Sequence, residues 1–270
     1  MKSNKLFAFI CAFWLVSEMM KATDGCMTKT KPNRTMALVE ALGVRIASGQ
    51  ITPGTYLPSE GELEHEFGVS RTVVREAAKI LSAKGLVTVR QRTGTRVQPR
   101  ERWQWLDAEL IGWLSHGRIS HDELMAFAEV RLIVEPGAVV LAAQRAGKAE
   151  REAIMAAYGR METSQNDPAG AVAADKEFHL SILAATHNPV LQSLRQAIES
   201  ILDAVFPHTV GAFAFNLANH RAVAHAIMNG DPTAARSAME NLLNETTRFL
   251  ESSSSVHSRM LPHTETAIDR

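Results

Sequence analysis

Apolar residues return every three or four positions over residues 35–48, where Met36, Leu38, Val39, Leu42 and Ile46 share one side of a helix. Gly49 ends that helix, and Pro53-Gly54 marks a turn. Ser59-Glu60-Gly61-Glu62 is a capping-box pattern, which predicts a short second helix ending at Phe67-Gly68. Ser70 opens a third helix that runs to Lys84, with Gly85 as its stop. The period then changes. Residues 87–90 and 95–98 are short β-rich runs, with Arg92-Thr93-Gly94 between them as a hairpin tip. Helix, helix, tight turn, helix and hairpin, in that order, make a winged helix-turn-helix.

Helical spacing resumes after a short charged stretch. From residue 103 to 250 it is interrupted only at 166–170, at His187-Asn188-Pro189 and at Gly230-Asp231-Pro232. Six or seven helices in a bundle are expected. From Glu251 the chain turns Ser-rich, and disorder is expected to its end. The predicted fold is therefore mostly α. A winged helix-turn-helix (α with a small β-hairpin) spans 31–98, a linker 99–107, an all-α domain 108–250 and a tail 251–270.

The first 30 residues stand outside this pattern. Lys2 and Lys5 precede an apolar run over 6–16. That run is short of the ~20 residues a membrane helix needs. It resembles the front of a signal peptide without a small-residue cleavage site. An exported DNA reader would have no target, so the expected start is Met27, with an extension before it and no membrane attachment.

Net charge is zero, which by itself argues against nucleic acid. The distribution reverses that. Residues 27–100 hold 12 Lys/Arg against 6 Asp/Glu, whereas residues 101–270 hold 14 against 21. A basic front half suits a phosphate backbone. The two cysteines, Cys11 and Cys26, precede the folded body, so no disulfide framework or thiolate metal site is expected there. A reducing cytoplasm suits such a chain.

The second helix of a helix-turn-helix enters the major groove N-terminus first. Here that end is Ser70-Arg71-Thr72-Val73-Val74-Arg75. Arg71 and Arg75 leave one face and can fork onto guanine or grip phosphate. Ser70 and Thr72 are short donors for phosphate oxygens. Gln91, Arg92, Thr93 and Gly94 form a cationic wing tip able to reach the minor groove or the backbone. The second half carries Arg131 and Glu135 four apart, Asp175 and His179 four apart, and His220. Asp and His at that spacing can share one divalent cation, with a distant His completing the set. Each also has a plainer reading, as surface pair, helix salt bridge or buried hydrogen-bonder. A metal-dependent enzyme acting on a small carboxylate through Asp175, His179 and His220 is the alternative to a regulator.

Leu57-Pro58-Ser59-Glu60, the run from Phe67 through Ala77, Gly85-Leu86-Val87 and Gly94-Thr95-Arg96-Val97 resemble the signature of the GntR family of bacterial regulators. Glu129-Val130-Arg131 with Glu135-Pro136, Asp175 with His179, His187-Asn188-Pro189-Val190-Leu191 and His220-Arg221-Ala222-Val223 resemble the FCD effector domain of its FadR subfamily. The resemblance implies a homodimer on palindromic operator DNA, with Arg71 and Arg75 on the bases and the wing assisting. It implies a divalent metal, zinc among the candidates, on Asp175, His179 and His220. It further implies a repressor of a sugar-acid operon, released by a carboxylate of the D-galactonate type that Arg131, Glu135 and Arg248 hold. The chain departs from the pattern twice. Gly61 stands where an arginine often follows the Leu-Pro-Ser-Glu block, and Leu242 stands where the family usually has a fourth histidine ligand. Water or the effector is expected to fill that fourth position, ahead of His225 as a substitute ligand, or else metal binding is weak or absent.

Overall fold

The computed structural model describes residues 33–258, apart from 91–92, 117–118, 165 and 210–212 and the side chains of 213–215 and 253–258. Helix α1, Arg34–Ala47, starts where Asn33 Oδ1 accepts from the Thr35 amide at 3.1 Å. It buries Leu38, Val39, Leu42 and Ile46. Helix α2, Glu60–Phe67, opens on the predicted capping box: the Ser59 amide donates to Glu62 at 2.7 Å, and the Glu62 amide donates back to Ser59 Oγ at 3.3 Å. Gly68, at φ 61°, supplies the left-handed residue that stops α2 and aims α3, Arg71–Ala83. Val74, Ala77 and Leu81 of α3 are buried, and α3 packs on α1.

Strand β1, Val87–Arg90, pairs antiparallel with β2, Gly94–Val97, with Val87 opposite Val97. The turn after α2's predecessor adds an edge the sequence pattern did not reveal. Gly54 N–H donates to Val97 O at 2.9 Å and Leu57 N–H to Thr95 O at 2.8 Å, so β2 is bonded on both sides.

Residues 99–107 are docked rather than slack, contrary to their reading as a linker. A 3-10 turn, Arg100–Arg102, leads into Trp103 and Trp105, whose indole N–H groups donate to Gln98 O at 3.1 Å and Arg100 O at 3.0 Å. The Arg100 guanidinium lies over both rings, 4.8 and 5.4 Å from their centroids. Helix α4, Ala108–His116, then joins the two halves. Its Trp113 packs so close to α1 that a Cβ on Gly43 would stand 2.5 Å from the ring. Its Leu110, Ile111 and Leu114 are buried in a core that runs from Leu38 of α1 to Leu250 near the end of the chain.

The rest is helical: α5 His121–Arg145, α6 Lys148–Thr163, α7 Pro168–Ala184, α8 Pro189–Ser193, α9 Arg195–Thr209, α10 Phe213–Met228 and α11 Pro232–Ser258. The second half thus has eight helices among the described residues, against the six or seven expected. One extra is the single turn α8, which Asn188 caps after His187 takes a positive φ of 51°. Helix α11 lies along α5 and α10, and α6 packs on α7 and α10. It continues to Ser258, past Glu251, where the Ser-rich composition had suggested that order ends. The residues before 33 and after 258 lie outside the described part, and with them the expected extension and the end of the tail. No helix among the described residues is long and apolar enough to cross a membrane.

Candidate functional site

The fold presents two sites. The first is the exposed end of α3. Ser70 is its N-cap, yet its hydroxyl makes no capping hydrogen bond. Ser70 is exposed and the first amides of α3 have no side-chain cap, the arrangement that receives an anion. Arg71, Thr72 and Arg75 are exposed on that end. A residue the sequence reading did not single out holds the two arginines: Glu60, the first residue of α2, accepts from Arg71 Nε at 2.5 Å and from Arg75 Nε at 3.0 Å. Hydrogen bonds from Arg71 and then Arg75 keep the Glu60 carboxyl below its ordinary range. Both guanidiniums keep their terminal nitrogens for another partner. Thr93 and Gly94 sit exposed at the wing tip, whereas Gln91 and Arg92 lie outside the described residues.

The second site is buried between helices. Arg131 and Glu135 come from α5, Asp175 and His179 from α7, and His220 from α10. All five are buried, in a chain whose other buried positions are almost all apolar. One potential ligand atom each from Asp175, His179 and His220 lies within 4.8 Å of the others. Their hydrogen bonds constrain the ring protons. His220 Nδ1 is 3.0 Å from Asn216 O, a pure acceptor, so Nδ1 carries a proton. Arg131 Nη2, a pure donor, is 3.2 Å from His179 Nε2, so that nitrogen presents a lone pair. Both Nε2 atoms lie near Asp175, whose Oδ1 is 2.8 Å from His220 Nε2 and 3.7 Å from His179 Nε2.

Glu135 stands behind this group. Its Oε1 accepts from Arg131 Nε at 2.6 Å, and its Oε2 lies 2.6 Å from His179 Nδ1. That contact is short but off-line, which leaves Glu135 Oε2 and His179 Nδ1 without a directed hydrogen bond, as is His220 Nε2. Burial alone would raise the Glu135 carboxyl, but Arg131 and His179 outweigh it and hold it at about 2. Burial likewise opposes ionisation of Asp175, and His179, His220 and Arg131 outweigh it to leave that carboxyl below its ordinary range. Burial would lower Arg131, but Glu135 beside it and Asp175 keep it protonated. Two carboxylates thus share one guanidinium and two histidine rings in a buried space.

A divalent cation fits that donor set on chemical grounds. There are two imidazole nitrogens and a carboxylate, an orphaned His220 Nε2, and a carboxylate behind one histidine that orients its ring. Leu242 of α11 lines the same cavity, so the position where a fourth histidine was looked for is filled by an apolar side chain. His225 is exposed elsewhere on α10 and does not replace it.

The cavity beside Arg131, Asp175, His179 and His220 measures about 30 Å³. Leu202, Val205, Phe206 and Thr209 of α9 close one side, and Asn216, Leu242 and Thr246 close another. Asn216, Thr209 and Thr246 escaped the sequence reading because single polar residues in apolar helices carry no spacing signal. Asn216 Nδ2 donates to Leu242 O and to Thr246 Oγ1, both at 3.0 Å. Two expected effector residues are placed differently. Glu135 supports Arg131 and His179 from behind and does not line the cavity. Arg248 is exposed and pairs with Glu245 at 2.6 Å, away from the cavity, because its place on α11 faces solvent.

A winged helix-turn-helix with a clasped pair of arginines, joined to a helical domain around a buried polar cavity, defines a DNA-binding regulator. The matches to known families agree: residues 35–97 match the bacterial regulatory proteins of the gntR family, and residues 126–245 match the FCD domain. The galactonate operon transcriptional repressor of Escherichia coli K12 is 35% identical over 223 residues, 81% of this chain and 97% of its own. A second Escherichia coli relative, the uncharacterized HTH-type transcriptional regulator YieP, is 37% identical over 215 residues, 78% of this chain and 93% of its own. A solved structure titled for Lar, which controls the Listeria monocytogenes agr system, shares the fold with a TM-score of 0.59 at 20% identity, over 83% of this chain and 99% of that one. This chain belongs to the GntR family and carries an FCD domain. It is a transcriptional regulator whose partner is operator DNA. Its relatives are regulators too, so the metal-dependent enzyme is set aside.

Proposed function

We propose that this regulator represses a sugar-acid catabolic operon, and that a small carboxylate of the D-galactonate type releases it from its operator. The observation that carries this reading is the buried cluster at one cavity, where Arg131 stands beside Asp175, His179 and His220. Arg131 offers a bidentate partner to a carboxylate, with Glu135 fixing its orientation. Asp175, His179 and His220 would hold a divalent ion, zinc among the candidates, and the ion would supply a positive charge and open positions for an acid oxygen. Thr209, Asn216 and Thr246 offer hydrogen-bonding groups for a hydroxylated chain. The galactonate relative gives the first effector to try.

A cavity of about 30 Å³ holds an ion or a water but not a six-carbon acid. Admission therefore needs α9 to move away from α10 and α11. The opposite side of α9, through Gln196, Glu199, Ser200 and Asp203, shares a cleft with Asp107, Glu109 and Lys84 at the end of α3. A shift of α9 is thereby felt at the DNA-reading helix. In a homodimer on a palindrome, a changed spacing of the two α3 helices weakens both half-site contacts together.

Fluorescence anisotropy on a labelled duplex from the protein's own promoter tests this. Millimolar D-galactonate should release the wild-type protein. Arg131→Ala should bind the duplex as well as wild type and ignore galactonate. Tight DNA binding that no sugar acid disturbs would remove the effector assignment.

A further inference from the structure

The wing carries a second basic feature, on a face that the recognition helix does not use. In the β1–β2 pairing, Val87 and Val97 are buried against the domain core. Side chains alternate along a strand, so Arg90 and Arg96 leave by the opposite face. Arg102, from the 3-10 turn after the wing, joins them. Together with Gly54, Thr88 and Gln98 they line a groove of about 440 Å³ with no carboxylate in its walls.

What sets these three arginines apart is that they line one groove together. Several surface arginines pair with acids, Arg45 with Glu66, Arg160 with Glu177 and Arg236 with Glu240. Among the described residues, no carboxylate pairs with Arg90, Arg96 or Arg102. Arg96 is nonetheless held in place: its Nε donates to Gly54 O at 2.7 Å, which leaves its terminal nitrogens to the groove. Three like charges facing one concavity repel each other, and the missing counter-charge has to come from outside the chain. Guanidinium forks suit phosphate oxygens, which take two parallel hydrogen bonds.

We propose that this groove is a phosphate-binding site for the backbone of DNA flanking the operator half-site. The reading helix and the wing tip engage the half-site itself. Val87 and Val97 share a core with Val74, Ala77 and Leu81 of α3, so the arginines leave by the sheet face opposite that packing, and a phosphate reaching them belongs to the duplex beyond the segment α3 reads. The groove thus adds affinity without adding sequence information.

The test measures DNA affinity of the full-length protein by anisotropy over a series of salt concentrations. Each phosphate contact contributes roughly 0.9 to the slope of log K against log salt. The double variant Arg90→Ala/Arg102→Ala should lower that slope by roughly 2 per bound chain, by the same amount on operator and on unrelated DNA. Wild-type protein on a duplex trimmed to the half-sites should lose roughly 3 per bound chain, because all three arginines lose their phosphates, a measurement that does not depend on the variant folding. Arg71→Ala, by contrast, should cost more on operator than on unrelated DNA. An unchanged slope in both the double variant and the trimmed duplex overturns the proposal, even if inorganic phosphate at fixed ionic strength binds the groove. A failed Arg71→Ala discrimination would instead count against α3 as the reader.

Discussion

Glu60 shows how one carboxylate can shape a DNA-reading face. It spans Arg71 and Arg75 through their Nε atoms and leaves the ends of both forks free. The same carboxylate repels phosphate, and that repulsion applies to every DNA sequence alike. Its orienting effect matters only where the forks meet the correct bases. Glu60→Gln should therefore tighten binding to unrelated DNA and narrow the ratio between operator and unrelated DNA. Competition titrations with both duplexes read that ratio, and a ratio equal to wild type would show that Glu60 does not orient the pair. The sequence displayed Arg71 and Arg75 through their spacing. Glu60 looked like an ordinary acidic residue in the first turn of α2, because its contact crosses a turn between two helices. Arg131 and Glu135 were legible as a helix pair, but whether such a pair is exposed or buried is decided by what packs over it. Here α7 and α10 cover it, and the same residues become the wall and the backing of a cavity.

At the scale of elements, capping and left-handed glycines set the boundaries that the sequence predicted. The capping box at Ser59 and the positive φ of Gly68 leave α2 only eight residues long. Gly85, at φ 76°, is fixed twice, since a Cβ there would meet the Arg102 carbonyl oxygen at 2.1 Å. Gly43 is a different case. It sits inside α1 with ordinary helical geometry, where alanine would gain about 1 kcal/mol of helix propensity. The Trp113 ring, 2.5 Å from the would-be Cβ, occupies that space. Overpacking of this kind costs about 1–3 kcal/mol, and contact with three ring atoms puts it at the upper end. Gly43→Ala should lower the urea midpoint, and an unchanged or higher midpoint would mean that α4 yields without cost. The helical period over residues 108–116 gave no hint that this helix serves both halves of the chain.

At the scale of the molecule, the two halves share one core and a part-exposed charge cluster at their junction. Lys84, the residue that caps α3, donates to Asp107 at 2.7 Å and lies 2.5 Å from Glu109. Burial would lower its ammonium, but Asp107 and Glu109 outweigh that and keep it charged. This clamp ties the end of α3 to α4, and α4 packs on α9, which walls the buried cavity. Lys84→Met should leave DNA binding and sugar-acid binding in place while shrinking the factor by which the acid weakens DNA binding. Anisotropy with and without the acid measures that factor, and a wild-type factor would exclude the clamp from the coupling.

The sequence by itself determined the local elements and their order, because caps, glycines and hydrophobic period act over a few residues. It also displayed the arginines of α3 and the Asp175/His179 pair, which are set by helical spacing. Only the tertiary structure decided the rest. It brought His220 from α10 within 2.8 Å of Asp175, and Glu60 of α2 against Arg71 and Arg75 of α3. It docked the 99–107 segment by its tryptophans, sent Arg248 to the surface and gathered Arg90, Arg96 and Arg102 on one wing face. These depend on how whole helices and strands pack, and packing is fixed by the summed burial of many side chains rather than by any short pattern among them.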